Sequence, residues 1–253
     1  MGKIAFVFPG QGAQAVGMGL ALYEKYPSAR AVFDRAGEAV KKLCFEGSQA
    51  DLDITVNAQP CLFTVDLACA AALNERGVYA AGAAGFSLGE IPALAHCGLL
   101  NAEQAFDLVA FRGEIMQDCA ARNPGGMLAV MGLDAAAVME ICGETRGAYP
   151  ANFNSEKQTV VAFGEQSFDA LKEAVSARGG KAIRLATSGA FHCPFMDGAA
   201  AGMADYAANL PFGAMKTPLY ANATARVYEN PAALVARQIN SPVLWRETIE
   251  NMV

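Results

Sequence analysis

At 253 residues the chain is long enough to bury one large core, as a single large domain or as a large domain with a smaller insert. An apolar fraction of 53% against 17% charged residues excludes a disordered chain and fits a compact enzyme. The net charge of −6 argues against a nucleic-acid partner, and an acidic protein partner would need a local basic patch.

Seven cysteines (44, 61, 69, 97, 119, 142 and 193) are scattered without a C-x-x-C pair. That usage predicts reduced thiols in the cytoplasm, with neither a disulfide framework nor a metal site. No signal-peptide pattern opens the sequence, and no uninterrupted apolar run reaches the roughly 18 residues of a membrane span, so no membrane partner is expected.

Ile4–Phe8 is a short apolar run closed by Pro9-Gly10, which predicts a strand buried on both faces. Helical texture follows over Met18–Tyr26 and Ala29–Cys44, with Pro27-Ser28 as break and cap. Asn57–Glu75 opens with polar residues and Pro60, then runs apolar to Gly77, and reads as a helix. Ala80–Gly85 is a small apolar strand leading into Gly85-Phe86-Ser87-Leu88-Gly89 and a further helix. Strands that alternate with helices predict a parallel sheet covered on both faces.

Between Gly125 and Ser188 the elements shorten. Met127–Met131, Tyr149–Phe153, Thr159–Phe163 and Lys181–Ala186 read as strands, with helices over Asp134–Cys142 (Asp134 as cap) and Ser167–Arg178. This βαββαβ order is that of a split βαβ, ferredoxin-like unit. The expected organisation is a large α/β domain over 1–124 and 189–253, with a small ferredoxin-like subdomain over 125–188.

A strand, a tight turn holding Ser87 between glycines and a helix form the setting of a nucleophile elbow. The hydroxyl would sit at a helix N-terminus, where free N–H groups favour negative charge. With 25 glycines in the chain, a plain glycine-rich turn stays open for this motif alone. A serine nucleophile needs a base, and the chain has two histidines. His96 follows Ser87 by nine residues along the same helix and cannot easily turn back. His192 lies in the loop Ser188-Gly189-Ala190-Phe191-His192 after the last short strand, and is the better candidate base. Gly10-Gln11-Gly12, at the end of the first strand, could bring the Gln11 N–H to a reacting carbonyl, with the Leu88 N–H as second donor. Arg112 interrupts an apolar helical stretch, and its guanidinium needs a carboxylate from the protein or from a ligand.

Taken together, FVFPGQGAQ, GFSLGE, AFRGEIMQ, SGAFHCPFM and ARQINSPVLW resemble, in order, five motifs of the malonyl-CoA:acyl carrier protein transacylase family and of the acyltransferase domains of fatty acid and polyketide synthases. The resemblance implies an α/β-hydrolase-like core with an inserted ferredoxin-like subdomain. It implies a ping-pong transfer of malonyl from malonyl-CoA to an acyl carrier protein, without cofactor or metal, by a monomer. By the same resemblance Ser87 is the nucleophile and His192 the base, Gln11 and Leu88 form the oxyanion hole, and Arg112 grips the acyl carboxylate. Gln238 positions His192 through its backbone carbonyl, and Phe86, Phe191 and Asn154 line the substrate pocket, the bulk of Phe191 disfavouring an α-methyl group. The family usually has histidine where this chain has Phe86. Its members continue past the position of Val253 through a strand, a Gly-Pro-Gly turn and a helix, so an extended version is expected to melt higher. The nearest rival is a hydrolase with the same Ser–His pair; a docking module without activity is a third reading.

Overall fold

The computed structural model describes residues 2–253. A parallel three-stranded sheet is built from β1 (Ala5–Phe8), β2 (Gly82–Gly85) and the short strand Leu219–Tyr220, in that spatial order. Between its first two strands the chain forms five helices. These are α1 (Leu20–Lys25), α2 (Pro27–Ala36), α3 (Glu38–Glu46), the single turn α4 (Gln49–Leu52) and α5 (Thr55–Glu75).

Three readings need correction here. The stretch over Ala29–Cys44 is two helices, because Gly37 takes φ 91° and breaks the chain between α2 and α3. Ser28 is no cap: Pro27 occupies the first turn, and the Ser28 backbone N–H donates instead to Glu75 at 3.0 Å. Strand β1 is not buried on both faces. It is an edge strand whose Phe6 and Phe8 point into the core while Ala5 and Val7, on the other face, are exposed, so an apolar run did not mean cover on both faces.

Helix α5 is long and apolar enough to resemble a membrane span by composition, but it is the core helix of this protein. It packs against α2, α3 and the 21-residue α7 (Ala102–Arg122), and most of its side chains are buried. Between β2 and α7 lie a 3-10 turn over Ser87–Gly89 and α6 (Glu90–His96).

A second, antiparallel sheet follows. Its elements are β3 (Gly125–Met131), α8 (Ala135–Glu144), β4 (Ala148–Ser155), β5 (Gln158–Gly164), α9 (Phe168–Ala177) and β6 (Lys181–Arg184). The strand order β4-β5-β3-β6, with every neighbour antiparallel, is that of the split βαβ unit. Asp134 caps α8 as expected, accepting from the Ala137 N–H at 2.9 Å. Its own core, around Leu128, Val130, Ile141, Val161 and Leu171, is separate from the main one.

After β6 the chain returns through the His192 loop to α10 (Asp197–Ala207), β7 (the Leu219–Tyr220 strand), α11 (Pro231–Asn240) and α12 (Trp245–Met252). Val243, between the last two helices, joins the two sheets. Its N–H donates to the Ala151 carbonyl at 2.8 Å, its carbonyl accepts from the Phe153 N–H at 2.9 Å, and the next residue, Leu244, donates to the Asn222 carbonyl at 2.9 Å.

Candidate active site

The turn after β2 is compressed. A Cβ on Gly85 would fall 2.0 Å from the Gly89 carbonyl carbon, and one on Gly89 would fall 2.1 Å from the Phe8 carbonyl oxygen, so only glycine fits at either position. Ser87 between them takes φ 52°, the left-handed region that costs a non-glycine residue about 1–2 kcal/mol. This is the geometry of a nucleophile elbow. The loop after β1 lies directly against it: the Phe86 N–H donates to the Phe8 carbonyl at 2.8 Å, and Gly10 is pressed onto Phe86, where a Cβ would fall 2.4 Å from its carbonyl oxygen.

Ser87 Oγ and His192 Nε2 are 2.7 Å apart, though 105 residues separate them. His192 also has a positive φ, 58°, and is almost fully buried. Its Nδ1 lies 2.9 Å from the Gln238 carbonyl, which can only accept, so Nδ1 carries the proton and Nε2 presents a lone pair to the serine hydroxyl. Burial, with the Arg112 charge nearby, pushes the His192 pKa down to about 4. The imidazole is therefore neutral at pH 7, the form able to take a proton. The other histidine, His96, is packed on the rings of Phe6 and Phe8 with centroids at 5.2 and 5.6 Å, and makes no hydrogen bond to Ser87.

Arg112 comes from the middle of α7 and is 1% exposed. Its guanidinium donates to Gln59 Oε1 at 2.9 Å, to Gln238 Oε1 at 2.9 Å and to Ser87 Oγ at 3.3 Å. Every one of these acceptors is neutral. No carboxylate forms an ion pair with it among the described residues, and its Nε has no partner. The protein carboxylate that a buried arginine ordinarily finds is absent from its contacts. Burial lowers the Arg112 pKa to about 10, which leaves it charged at neutral pH.

Gln238, in the last turn of α11, touches all three groups. Besides its carbonyl on His192 and its Oε1 on Arg112, its Nε2 donates to the Ser87 carbonyl at 2.5 Å. Behind the elbow sits a second layer that was not legible in the sequence. Asn222 accepts from the Ser87 N–H at 2.7 Å and donates to the Gly85 carbonyl at 2.6 Å. The buried Glu90 accepts from the Asn222 N–H at 2.7 Å and from the Tyr228 hydroxyl. Burial raises the Glu90 pKa to about 7. The one available signal was a lone polar residue in Ala221-Asn222-Ala223, directly after a strand; Gln59 had none, since it looks like an ordinary first-turn residue of the helix expected over Asn57–Glu75.

The remaining candidates are placed with less contact to the pair. Gln11 and Leu88 have backbone N–H groups that donate to no other group among the described residues, as oxyanion donors must. The Gln11 side chain donates to Thr55 Oγ1 at 3.3 Å, which in turn lies 2.7 Å from Ser188 Oγ. Phe86 meets Trp245 edge to face at 5.3 Å. Phe191 is buried in the main core, and Asn154 on β4 has a buried Oδ1 without a partner; neither makes a hydrogen bond to the Ser87 network. A cavity of about 430 Å³ lined by Val32, Phe63, Leu67 and Phe106 contains none of these groups.

This arrangement brings the Ser87 hydroxyl, a neutral histidine and a buried guanidinium into one site. The family described as acyl transferase domain matches residues 5–253. The chain is 34% identical over 265 residues to the malonyl CoA-acyl carrier protein transacylase of Bacillus subtilis, covering 100% of this chain and 84% of that one. It superposes on the crystal structure of a malonyl CoA-acyl carrier protein transacylase from Clostridium perfringens with a TM-score of 0.95 and 33% identity, over 99% of this chain and 83% of the other. A second solved structure, a malonyl-transacylase in complex with a type II polyketide acyl-carrier protein, gives a TM-score of 0.95 at 31% identity, over 99% and 85% of the two chains. The elbow, the histidine loop and the buried arginine thus lie in a chain that belongs to the acyl transferase domain family.

Proposed function

We propose that this protein transfers a malonyl group from malonyl-CoA to the phosphopantetheine thiol of an acyl carrier protein, through an ester on Ser87. The observation that carries this reading is Arg112: a buried guanidinium, 3.3 Å from Ser87 Oγ, bonded only to neutral oxygens. A buried charge with no carboxylate in contact is costly, Glu90 acting on it only through space, and a carboxylate that enters with the acyl group would complete it with a bidentate pair. Uncharged acyl chains gain nothing from such a group.

In the first half-reaction His192 Nε2 takes the Ser87 proton as Oγ attacks the thioester carbon. The Gln11 and Leu88 N–H groups receive the oxyanion. Collapse breaks the C–S bond, and the departing CoA sulfur takes the proton back from His192. In the second half the carrier thiol gives its proton to the same nitrogen and attacks the ester, and Ser87 Oγ leaves with that proton. The Gln238 carbonyl on Nδ1 holds the imidazole in the required tautomer and stabilises the imidazolium that forms transiently. Residues 1–124 and 189–253 supply every group named here, and we read 125–188 as an inserted unit. The seven free thiols favour a cytoplasmic setting, and the protein is read as a monomer.

Intact-protein mass spectrometry after mixing with malonyl-CoA tests the reading. A stable malonyl adduct that is absent from Ser87→Ala, and discharged only when carrier thiol is added, is the expected result. An adduct that decays at the same rate without carrier would make the protein a hydrolase, and no adduct at all would remove the nucleophile assignment.

A further inference from the structure

Ser87 is held in an unfavourable backbone conformation, and neither His192 nor Arg112, which meet only its hydroxyl, keeps it there. A serine at φ 52° would relax unless its neighbours over-determined it. Gln238 holds the Ser87 carbonyl from one side. On the other side the Ser87 N–H and the Gly85 carbonyl bracket Phe86, and both are bound by one side chain, the amide of Asn222. A carboxamide has an acceptor and a donor on the same carbon, so it can bridge an N–H and a C=O two residues apart along a turn. Here it continues the β2–β7 ladder at the point where the backbone has already turned away.

Asn222 is itself fixed. Its backbone N–H is bound by the Glu90 carboxylate, its carbonyl by the Leu244 N–H, and Glu90 is oriented from its other oxygen by the Tyr228 hydroxyl. Asn222 and Glu90 are buried to 0% and 1% exposure, and Tyr228 to 6%. The chemical consequence lies at the oxyanion site. With the Ser87 N–H committed to Asn222, the N–H that remains available at the turn is that of Leu88, and its direction is set by how firmly Ser87 is held.

We propose that Asn222, anchored by Glu90 and Tyr228, is a positioning residue that locks Ser87 in its strained conformation and aims the Leu88 N–H at the acyl oxygen. This rests on the reading of Ser87 as nucleophile, although not on malonyl as its substrate. Loss of the clamp should slow the covalent step without weakening ground-state recognition of the carboxylate, because Arg112 is held by Gln59 and Gln238 independently of Asn222.

The test uses Asn222→Ala, Asn222→Asp and Tyr228→Phe in the full chain. Three quantities are measured: single-turnover loading by malonyl-CoA, labelling of Ser87 by a fluorophosphonate, and competitive inhibition by free malonate. Asn222→Ala is expected to slow both covalent reactions by about 10²-fold, the scale of a misplaced reacting group, with malonate inhibition changed less than about threefold. Asn222→Asp retains the acceptor for Ser87 and loses the donor to Gly85, and should fall between Asn222→Ala and the wild type. Tyr228→Phe should show a smaller loss of the same kind, by loosening Glu90. A melting-point drop with both covalent rates within threefold of wild type would overturn the proposal, as would equal losses in labelling and malonate inhibition. If Asn222→Ala does not fold, Asn222→Asp and Tyr228→Phe still decide it. Wild type that labels with fluorophosphonate but is not loaded by malonyl-CoA would instead refute the proposed function and leave the clamp testable.

Discussion

Arg112 can be paired with a ligand or with the protein, and substrates of different charge tell the two apart. If it binds the malonyl carboxylate, Arg112→Ala should cost roughly 2–5 kcal/mol in malonyl transfer, because a carboxylate in a water-shielded site loses its partner. Acetyl transfer should stay level or rise, since acetyl-CoA leaves the guanidinium unpaired in the wild type. A purely internal role predicts parallel loss with both. Removal of the arginine also strands the Gln59 and Gln238 amide oxygens, so a modest fall in melting point is expected either way and the substrate crossover is the diagnostic. His192 makes a separate prediction. Its pKa of about 4, below the usual 6.5, keeps it neutral through mildly acid pH, so kcat/KM should hold from pH 7 to about pH 5 and fall with an apparent pKa near 4. An acid limb centred at 6–7 would mean that the imidazole is not buried beside a cation in solution. At this scale the sequence was informative wherever a residue stood out chemically, as with one serine between glycines, one well-placed histidine or one arginine in an apolar helix. It was silent on Gln59 and Asn222, ordinary amides whose roles arise only when segments more than 50 residues apart meet.

Among the elements, α5 shows why periodicity could locate a helix but not its surroundings. The reading over Asn57–Glu75 matched its apolar body, while the helix starts at Thr55 and encloses Pro60 beyond its first turn. Nor could apolar content show that one face of β1 stays open at Val7, because cover of a face is decided by which elements pack on it. Asp66, on the buried face of α5, gives this element its own prediction. Its Oδ2 has no partner, and burial raises its pKa to about 8 from 3.8. The folded state therefore binds a proton that the unfolded state releases between about pH 4 and pH 8, and across that window stability from this residue falls as pH rises. Asp66→Asn removes the titration. Its melting point should approach that of the wild type near pH 4 and exceed it increasingly toward pH 8. A constant difference between the two across that range would show that Asp66 does not titrate as a buried acid.

For the whole molecule, the change of rhythm at Gly125 revealed a second sheet, but nothing in the sequence said how the two sheets are held together. The junction is the segment around Val243, which forms one bridge with β4 through Ala151 and Phe153 while its neighbour Leu244 holds Asn222 behind the elbow. Gln238, upstream on the same segment, reaches Ser87, His192 and Arg112, and Trp245, downstream, packs on Phe86. The seam between the sheets and the support of the site are thus one stretch of chain, so an injury to the seam should be felt in catalysis. Val243→Pro removes the N–H that binds the Ala151 carbonyl and leaves that buried carbonyl unpaired, at a cost of about 1–3 kcal/mol. For a chain of this size that corresponds to a melting point lower by about 2–4 °C per kcal/mol. Hydrogen exchange should accelerate at Ala151–Phe153 and around Asn222, while the β3–β5 ladder, with its own core, stays protected. Acyl-enzyme formation should slow with the same substrate-independent pattern as loss of the Asn222 clamp, for malonyl-CoA and fluorophosphonate alike. A variant that melts lower yet loads at the wild-type rate would show that the two sheets are joined without the seam supporting the site.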